Sequence, residues 1–212
     1  MSAASDLYEK HAAERLANES FTRDMLNGLR EHVDRIHYVM STVRELAPES
    51  VLDIACNTGI FGAMMRWTHG AAPKTVVGID ISPSCCEFVT RVMGYDRAVC
   101  VDVNQWAPEE IDRADLVLCM EVLEHLEAPE VLVGKALAAA KKWVLFSVPQ
   151  EEGDVDGEFH LRKILLEDLN GWVQSHGGKV VWNEFVASEF CEADHWNGWI
   201  FVLASPKEGG AK

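Results

Sequence analysis

Positive charge is scarce in this chain. Its 19 lysines and arginines face 34 aspartates and glutamates, a net charge of −15. Binding a phosphate backbone needs basic side chains that release counterions, so the composition excludes nucleic acid as an expected partner. The same deficit argues against an anionic membrane surface and leaves a small, neutral or cationic ligand as the class best tolerated. Lys141-Lys142 and Arg162-Lys163 are isolated pairs that read as solvated surface. Long apolar runs are missing as well, since none reaches the roughly eighteen residues of a membrane span. The opening MSAASDLYEK has no basic stretch followed by an apolar one, so the expectation is a cytoplasmic protein. The six cysteines, Cys56, Cys85, Cys86, Cys100, Cys119 and Cys191, show no C-x-x-C spacing. Most sit in apolar, strand-like surroundings, which predicts buried reduced thiols rather than disulfides or zinc ligands.

No repeat, low-complexity tract or linker divides the sequence. A length of 212 residues suits one α/β domain with modest additions. Helical signals cover 5–17 and 24–46, where Met25, Leu29, Val33, Ile36, Val39, Met40, Val43 and Leu46 recur at spacings of three and four, up to Pro48. Short apolar runs at 51–55, 75–79, 97–101, 115–119 and 142–148 then alternate with helical stretches at 60–69, 83–93 and 129–141. Gly70 and Gly94 stand where helices should stop, Pro83 and Pro129 where they should start. That alternation predicts a parallel sheet covered by helices. A further helix near 165–176 ends at Gly177-Gly178, and runs 179–187 and 197–204 are expected to pair as an antiparallel hairpin at the sheet edge. The division expected is an N-terminal helical extension or lid over 1–47, a ligand-binding domain over 48–206, and a disordered tail over 207–212.

Glycine is also short where it would be most expected. DIACNTG, residues 53–59, follows the first strand and has the place of a glycine-rich nucleotide loop, yet only Gly59 remains; Ala55 and Asn57 stand in for the others. Asparagine tolerates a left-handed backbone better than most residues, and alanine adds one methyl, so the loop can keep its shape. In open sheets of this kind ligands bind at the carboxyl ends of the strands. Acidic residues collect there: Asp53, Asp80, Asp102 and Glu121. Asp80 is suited to accept both hydroxyls of a ribose; its alternative, capping the next helix, falls better to Ser82. Asp102 is open between accepting from an adenine amino group and being a loop carboxylate. A carboxylate at Asp53 repels pyrophosphate and suits a ligand bearing an ammonium group.

VLDIACNTGIFG, VVGIDIS, the DVN segment and ADLVLCMEVLEHL, in this order and spacing, resemble the class I S-adenosylmethionine-dependent methyltransferases, whose first motif is close to VLDIGCGTG. The resemblance covers about 35–205 and is strongest to the small-molecule group that includes the ubiquinone-biosynthesis O-methyltransferases. It implies a Rossmann-like, doubly wound seven-stranded α/β sheet with the last strand antiparallel. It also implies S-adenosylmethionine as cofactor and a small-molecule oxygen or nitrogen acceptor. Carried over, it sets the methionine moiety beside Asp53, Ala55, Asn57 and Gly59, the ribose on Asp80 and the adenine beside Ile81, Asp102 and Val103. Met120 and Glu121 fall near the sulfonium. Arg35 falls either against the cofactor carboxylate or on an exposed helix face.

Methyl transfer from a sulfonium needs alignment, exclusion of water and, for a hydroxyl or ammonium acceptor, a base. His125 is the leading candidate, with Glu121 and Glu124 nearby; the competing reading is a histidine bonded to Glu121 for structure. His160 follows the polar stretch EEGDVDGEFH, read as a mobile loop over the pocket, and in related enzymes a histidine here faces the active site. Tyr8, His11 and Phe21 would form another wall. Trp172, Trp182, Trp196 and Trp199 read as packing rather than as an aromatic binding site. Two alternatives stay open: a metal-dependent enzyme for vicinal hydroxyls, with Glu121, Glu124, His125 and His160 around a divalent ion, and a non-catalytic relative. No metal ligand is assigned.

Overall fold

The computed structural model describes residues 8–10, 12–14, 33–67, 73–151, 160–187 and 196–206, the side chains of 151, 196 and 197 excepted. It divides into two compact units, 1–106 and 107–212, which carry the seven strands of a mixed α/β sheet.

The first unit begins with helical residues at 8–10 and 12–14. Helix α1 (Val33–Leu46) buries Ile36, Val39 and Val43, a three-to-four-residue stripe, and carries Asp34 in its first turn and Arg44 in its last, complementing the helix dipole. Strands β1 (Ser50–Ile54), β2 (Thr75–Asp80) and β3 (Arg97–Cys100) pair in parallel in the order β3-β2-β1. Between them run α2 (Ile60–Trp67) and α3 (Pro83–Arg91). Pro83 occupies the first turn of α3, where its missing N–H costs nothing, and Gly94 (φ 78) turns the chain toward β3.

The second unit holds β4 (Ala114–Met120), α4 (Pro129–Ala139), β5 (Ala140–Glu151), α5 (Leu166–Ser175), β6 (Lys179–Ala187) and β7 (Trp196–Ser205). Every residue of β4 is buried, as expected of a parallel strand covered on both faces. Leu116, Leu118, Leu145 and Phe146 are fully enclosed, each contributing about 1.5–3 kcal/mol of burial. β4 and β5 are parallel, and β7 runs antiparallel to both β5 and β6. The expected hairpin therefore forms, with one difference: β7 inserts between β5 and β6, so β6 is the edge. Its exposed Val181 and Phe185 fit that position, whereas β7 buries Trp199, Phe201 and Val202.

Trp199 is fully buried and Trp172 and Trp182 are partly so, which matches the packing role; the Trp196 side chain lies outside the described residues. The tail at 207–212, His11, Phe21, Gly70, Cys191 and the stretch 152–159 also lie outside them. No described helix is long and apolar enough to cross a membrane.

Candidate functional site

In the first unit, β1 runs into a loop built on left-handed residues at alternate positions: Ala55 (φ 56), Asn57 (φ 49) and Gly59 (φ 75). A left-handed backbone costs an ordinary L-residue about 1–2 kcal/mol, asparagine less and glycine nothing. The two replaced glycines thus hold glycine conformations. The Gly59 N–H closes the loop onto the Cys56 carbonyl at 2.8 Å, and the Cys56 N–H ties it to the Ile79 carbonyl of β2 at 3.0 Å.

Asp80, the last residue of β2, clasps this loop. Its Oδ2 accepts from the Asn57 N–H at 2.8 Å and its Oδ1 from the Ser82 N–H at 2.9 Å. Burial raises the Asp80 pKa, while the amides of Ser82, Asn57 and Ile81 pull it back and the nearby Glu9 charge adds to the rise. Each carboxylate oxygen has two lone pairs, so these bonds leave acceptor capacity for ligand hydroxyls. The capping role belongs to Ser82, whose Oγ accepts from the Cys85 N–H at 3.1 Å.

Asp53 is buried beneath the loop. The Tyr95 hydroxyl donates to its Oδ2 at 2.5 Å, and the same hydroxyl accepts from the Gly62 N–H at 3.2 Å. Burial pushes the Asp53 pKa up to about 7; the Tyr95 bond opposes the rise and the Asp80 charge adds to it. The Tyr95 ring also fills the space beside the glycines. A Cβ on Gly62 would meet it at 2.2 Å, one on Gly59 at 2.9 Å and one on Gly78 at 3.1 Å. Glu9 is a second unforeseen contributor: it accepts from the Ser82 and Ser84 hydroxyls at the start of α3, which holds its carboxyl below the usual range. Neither residue belongs to a motif, and only their positions near strand and helix ends hinted at a role.

Arg35 on α1 is half-buried rather than exposed, its guanidinium 5.7 Å from the centre of the Phe61 ring on α2. Asp102 forms a local turn, its Oδ1 accepting from the Asn104 N–H at 2.8 Å, as a loop carboxylate does. Val103 is buried and Ile81 half-buried. Of the five cysteines described, all are free, as expected, and four are buried; Cys100 is exposed because it ends the short edge strand β3.

In the second unit, Met120 is buried at the end of β4 and Glu121 follows with φ 51. That strained backbone is held by β5: the Glu121 N–H reaches the Ser147 carbonyl at 3.1 Å, and the buried Ser147 Oγ donates to Glu121 Oε1 at 2.6 Å. Only Leu123–His125 form a helical turn, of the tighter 3₁₀ kind. Glu121 precedes it, so the four-residue spacing does not stack Glu121 on His125 as an α-helix would. What gathers instead is Glu124, His125 and His160. The His125 Nε2 lies 3.9 Å from Glu124 Oε1, the two imidazole rings meet edge to face at 4.9 Å, and one ligating atom from each of the three residues falls within 4.8 Å of the others. The Leu161 N–H bonded to the Glu124 carbonyl at 2.9 Å, and Arg162 bonded to the Glu127 carbonyl at 2.6 Å, keep His160 there.

A family model described as a methyltransferase domain matches residues 23–196. The chain belongs to this family, the class I S-adenosylmethionine-dependent methyltransferases. Among curated proteins it is similar to the ubiquinone biosynthesis O-methyltransferase of Bordetella parapertussis, 33% identical over 120 residues, which are 53% of this chain and 48% of that protein. The match thus spans about half the length of these relatives. Among solved structures, the N-methyltransferase NodS from Bradyrhizobium japonicum, in complex with S-adenosylhomocysteine, superposes with a TM-score of 0.70 at 16% identity, covering 95% of this chain and 99% of that one. Magnesium protoporphyrin IX methyltransferase from Synechocystis, with bound S-adenosylmethionine, gives 0.66 at 16% identity over 96% and 95%. At such identities these structures speak for the fold.

Proposed function

We propose that this chain transfers a methyl group from S-adenosylmethionine to an oxygen of a small-molecule acceptor. The observation that carries the reading is the loop of three left-handed residues clasped to the buried Asp80 carboxylate, in a chain of this family. The residues fit the cofactor: backbone at Ala55, Asn57 and Gly59 turns without bulky side chains, and Asp80 keeps acceptor capacity for ribose hydroxyls. Asp53 would answer the ammonium group, Arg35 the carboxylate, and Ile81, Asp102 and Val103 the adenine, with Met120 near the sulfonium. When bound, the cofactor supplies a methyl already activated by its positive sulfur.

His125 is assigned to take the acceptor proton, with His160 and Glu124 orienting its ring and Glu121 adding negative charge for a polar acceptor. Oxygen rather than nitrogen is favoured by the names of the curated relatives. Residues 1–47 act as a helical cover in this reading, with Glu9 joining it to α3. The net charge of −15 supports a neutral or cationic acceptor and gives no support to a nucleic-acid or membrane partner. Calorimetric titration with S-adenosylhomocysteine tests the reading; absence of binding to the full chain defeats it.

A second reading follows from the convergence of Glu124, His125 and His160. One carboxylate and two imidazoles suit a divalent ion such as manganese or zinc, which would supply a Lewis acid that lowers the pKa of an acceptor hydroxyl. Activity assayed after chelation and dialysis separates the two: full turnover without divalent ions keeps His125 as a base, and activity restored by manganese or magnesium favours the metal.

A further inference from the structure

Two thiols rest on consecutive carbonyls at the end of β2. Cys86, in α3, donates Sγ–H to the Asp80 carbonyl at 3.6 Å, and Cys100, the last residue of β3, donates to the Ile81 carbonyl at 3.7 Å. Cys100 is the register partner of Asp80 across the parallel pair. The two thiols thus sit on neighbouring carbonyls of one turn, and the nearby Cys100 helps to push the Cys86 thiol up. Both are free; Cys86 is buried and Cys100 is exposed. Neither has a part in methyl transfer as derived above. An accessible thiol one carbonyl away from a buried second one can be oxidised on the first and resolved by the second.

We propose that Cys86 and Cys100 form a peroxide-responsive dithiol whose disulfide loosens the cofactor site at the Asp80–Ile81 turn. The effect on the cofactor rests on the function proposed above; the bond itself does not. Cys100, being exposed, reacts first: its thiolate attacks one peroxide oxygen, the O–O bond breaks, and a sulfenic acid forms with release of water. Burial, together with the neighbouring Cys100 and Asp80, holds the proton on Cys86 and leaves it the second role. The Cys86 sulfur then displaces the hydroxyl from the Cys100 sulfenic acid, which leaves as water with the Cys86 proton. Two thiols and one peroxide give one disulfide and two waters; sulfur is oxidised and peroxide oxygen reduced.

A disulfide is about 2.0 Å long, much shorter than a contact between thiols. Closing it draws both sulfurs off the carbonyls of Asp80 and Ile81, the residues assigned to the ribose and the adenine. Two other thiols lie nearby: Cys85, turned toward Asn57 Oδ1 at 3.9 Å, and Cys56; both are buried.

The test uses the full chain, reduced and then exposed to stoichiometric hydrogen peroxide. Peptide mapping without reductant should find Cys86 linked to Cys100. Affinity for S-adenosylhomocysteine should fall about tenfold, the size of one lost hydrogen bond, and return with dithiothreitol. C100S should keep its affinity in peroxide, and C86S should leave a sulfenic acid on Cys100 that dimedone traps. Only over-oxidised Cys100, or a link through Cys85, overturns the bond; a Cys86–Cys100 link with unchanged affinity overturns its effect on the site. Failure of the reduced protein to bind S-adenosylhomocysteine sinks the methyltransferase reading and the affinity effect together, while the peptide map still decides the bond.

Discussion

The Tyr95 hydroxyl donates to Asp53 Oδ2 at 2.5 Å, joining residues 42 positions apart under the left-handed loop at 55–59. Because it also accepts from the Gly62 N–H, one oxygen serves both the acid at the end of β1 and the first turn of α2. Tyr95→Phe keeps the ring and removes that oxygen, leaving two buried polar groups short of a partner. Denaturant unfolding should show a loss of about 1–3 kcal/mol. A stability equal to wild type would show that the hydroxyl does not hold the loop.

Asp53 also sets a pH dependence. Its folded pKa, about 7, lies above the ordinary carboxyl value of 3.8, so between these values the folded protein binds the proton that the unfolded chain has released. The contribution of this group is therefore greatest below pH about 4, declines as pH rises, and stops changing above about 7. Asp53→Asn, which keeps a group able to bond Tyr95, should flatten that part of the stability profile. An unchanged slope in the variant assigns the dependence elsewhere.

The loop residues should respond to backbone conformation. Ala55→Gly and Asn57→Gly relieve left-handed strain and should leave stability equal or up to about 1 kcal/mol higher, with cofactor binding kept. Asn57→Val places a β-branched residue at φ 49 and should lower both. Tolerance of valine, measured by thermal unfolding and calorimetry, would show that the loop relaxes to another shape.

Asp80→Ala removes the acceptor for the Asn57 and Ser82 amides as well as the one assigned to the ribose. S-adenosylhomocysteine should bind more weakly by about 1.5–3 kcal/mol. Unchanged affinity takes Asp80 out of the ribose role.

The alternation of β1, α2, β2, α3 and β3 was legible in the sequence because a buried parallel strand and an amphipathic helix leave different periodicities, punctuated here by Pro83, Pro129 and Gly94. Asn57 was legible for a similar reason, since few residues other than glycine accept a left-handed backbone. Tyr95 and Glu9 were not. Their partners are distant in sequence, and a hydrogen bond between such positions leaves no local pattern. Strand order was equally silent: hydrophobic runs announce β6 and β7 but not that β7 enters between β5 and β6. The 3₁₀ turn after β4 also defeated a spacing rule, because the rule presumes an α-helix. Convergence of His125 and His160 was foreseen through the family resemblance alone.

The insertion of β7 bears on how this protein can be cut for laboratory work. The matched segment ends at residue 196, where β7 begins. A fragment trimmed to that segment loses Glu9 from α3 and almost all of the strand that β6 pairs with. β6 would be left without a ladder, and β5, whose Val144 to Val148 are fully enclosed, would become an open apolar edge inviting aggregation. Fragments meant to stay in solution must extend through Ser205.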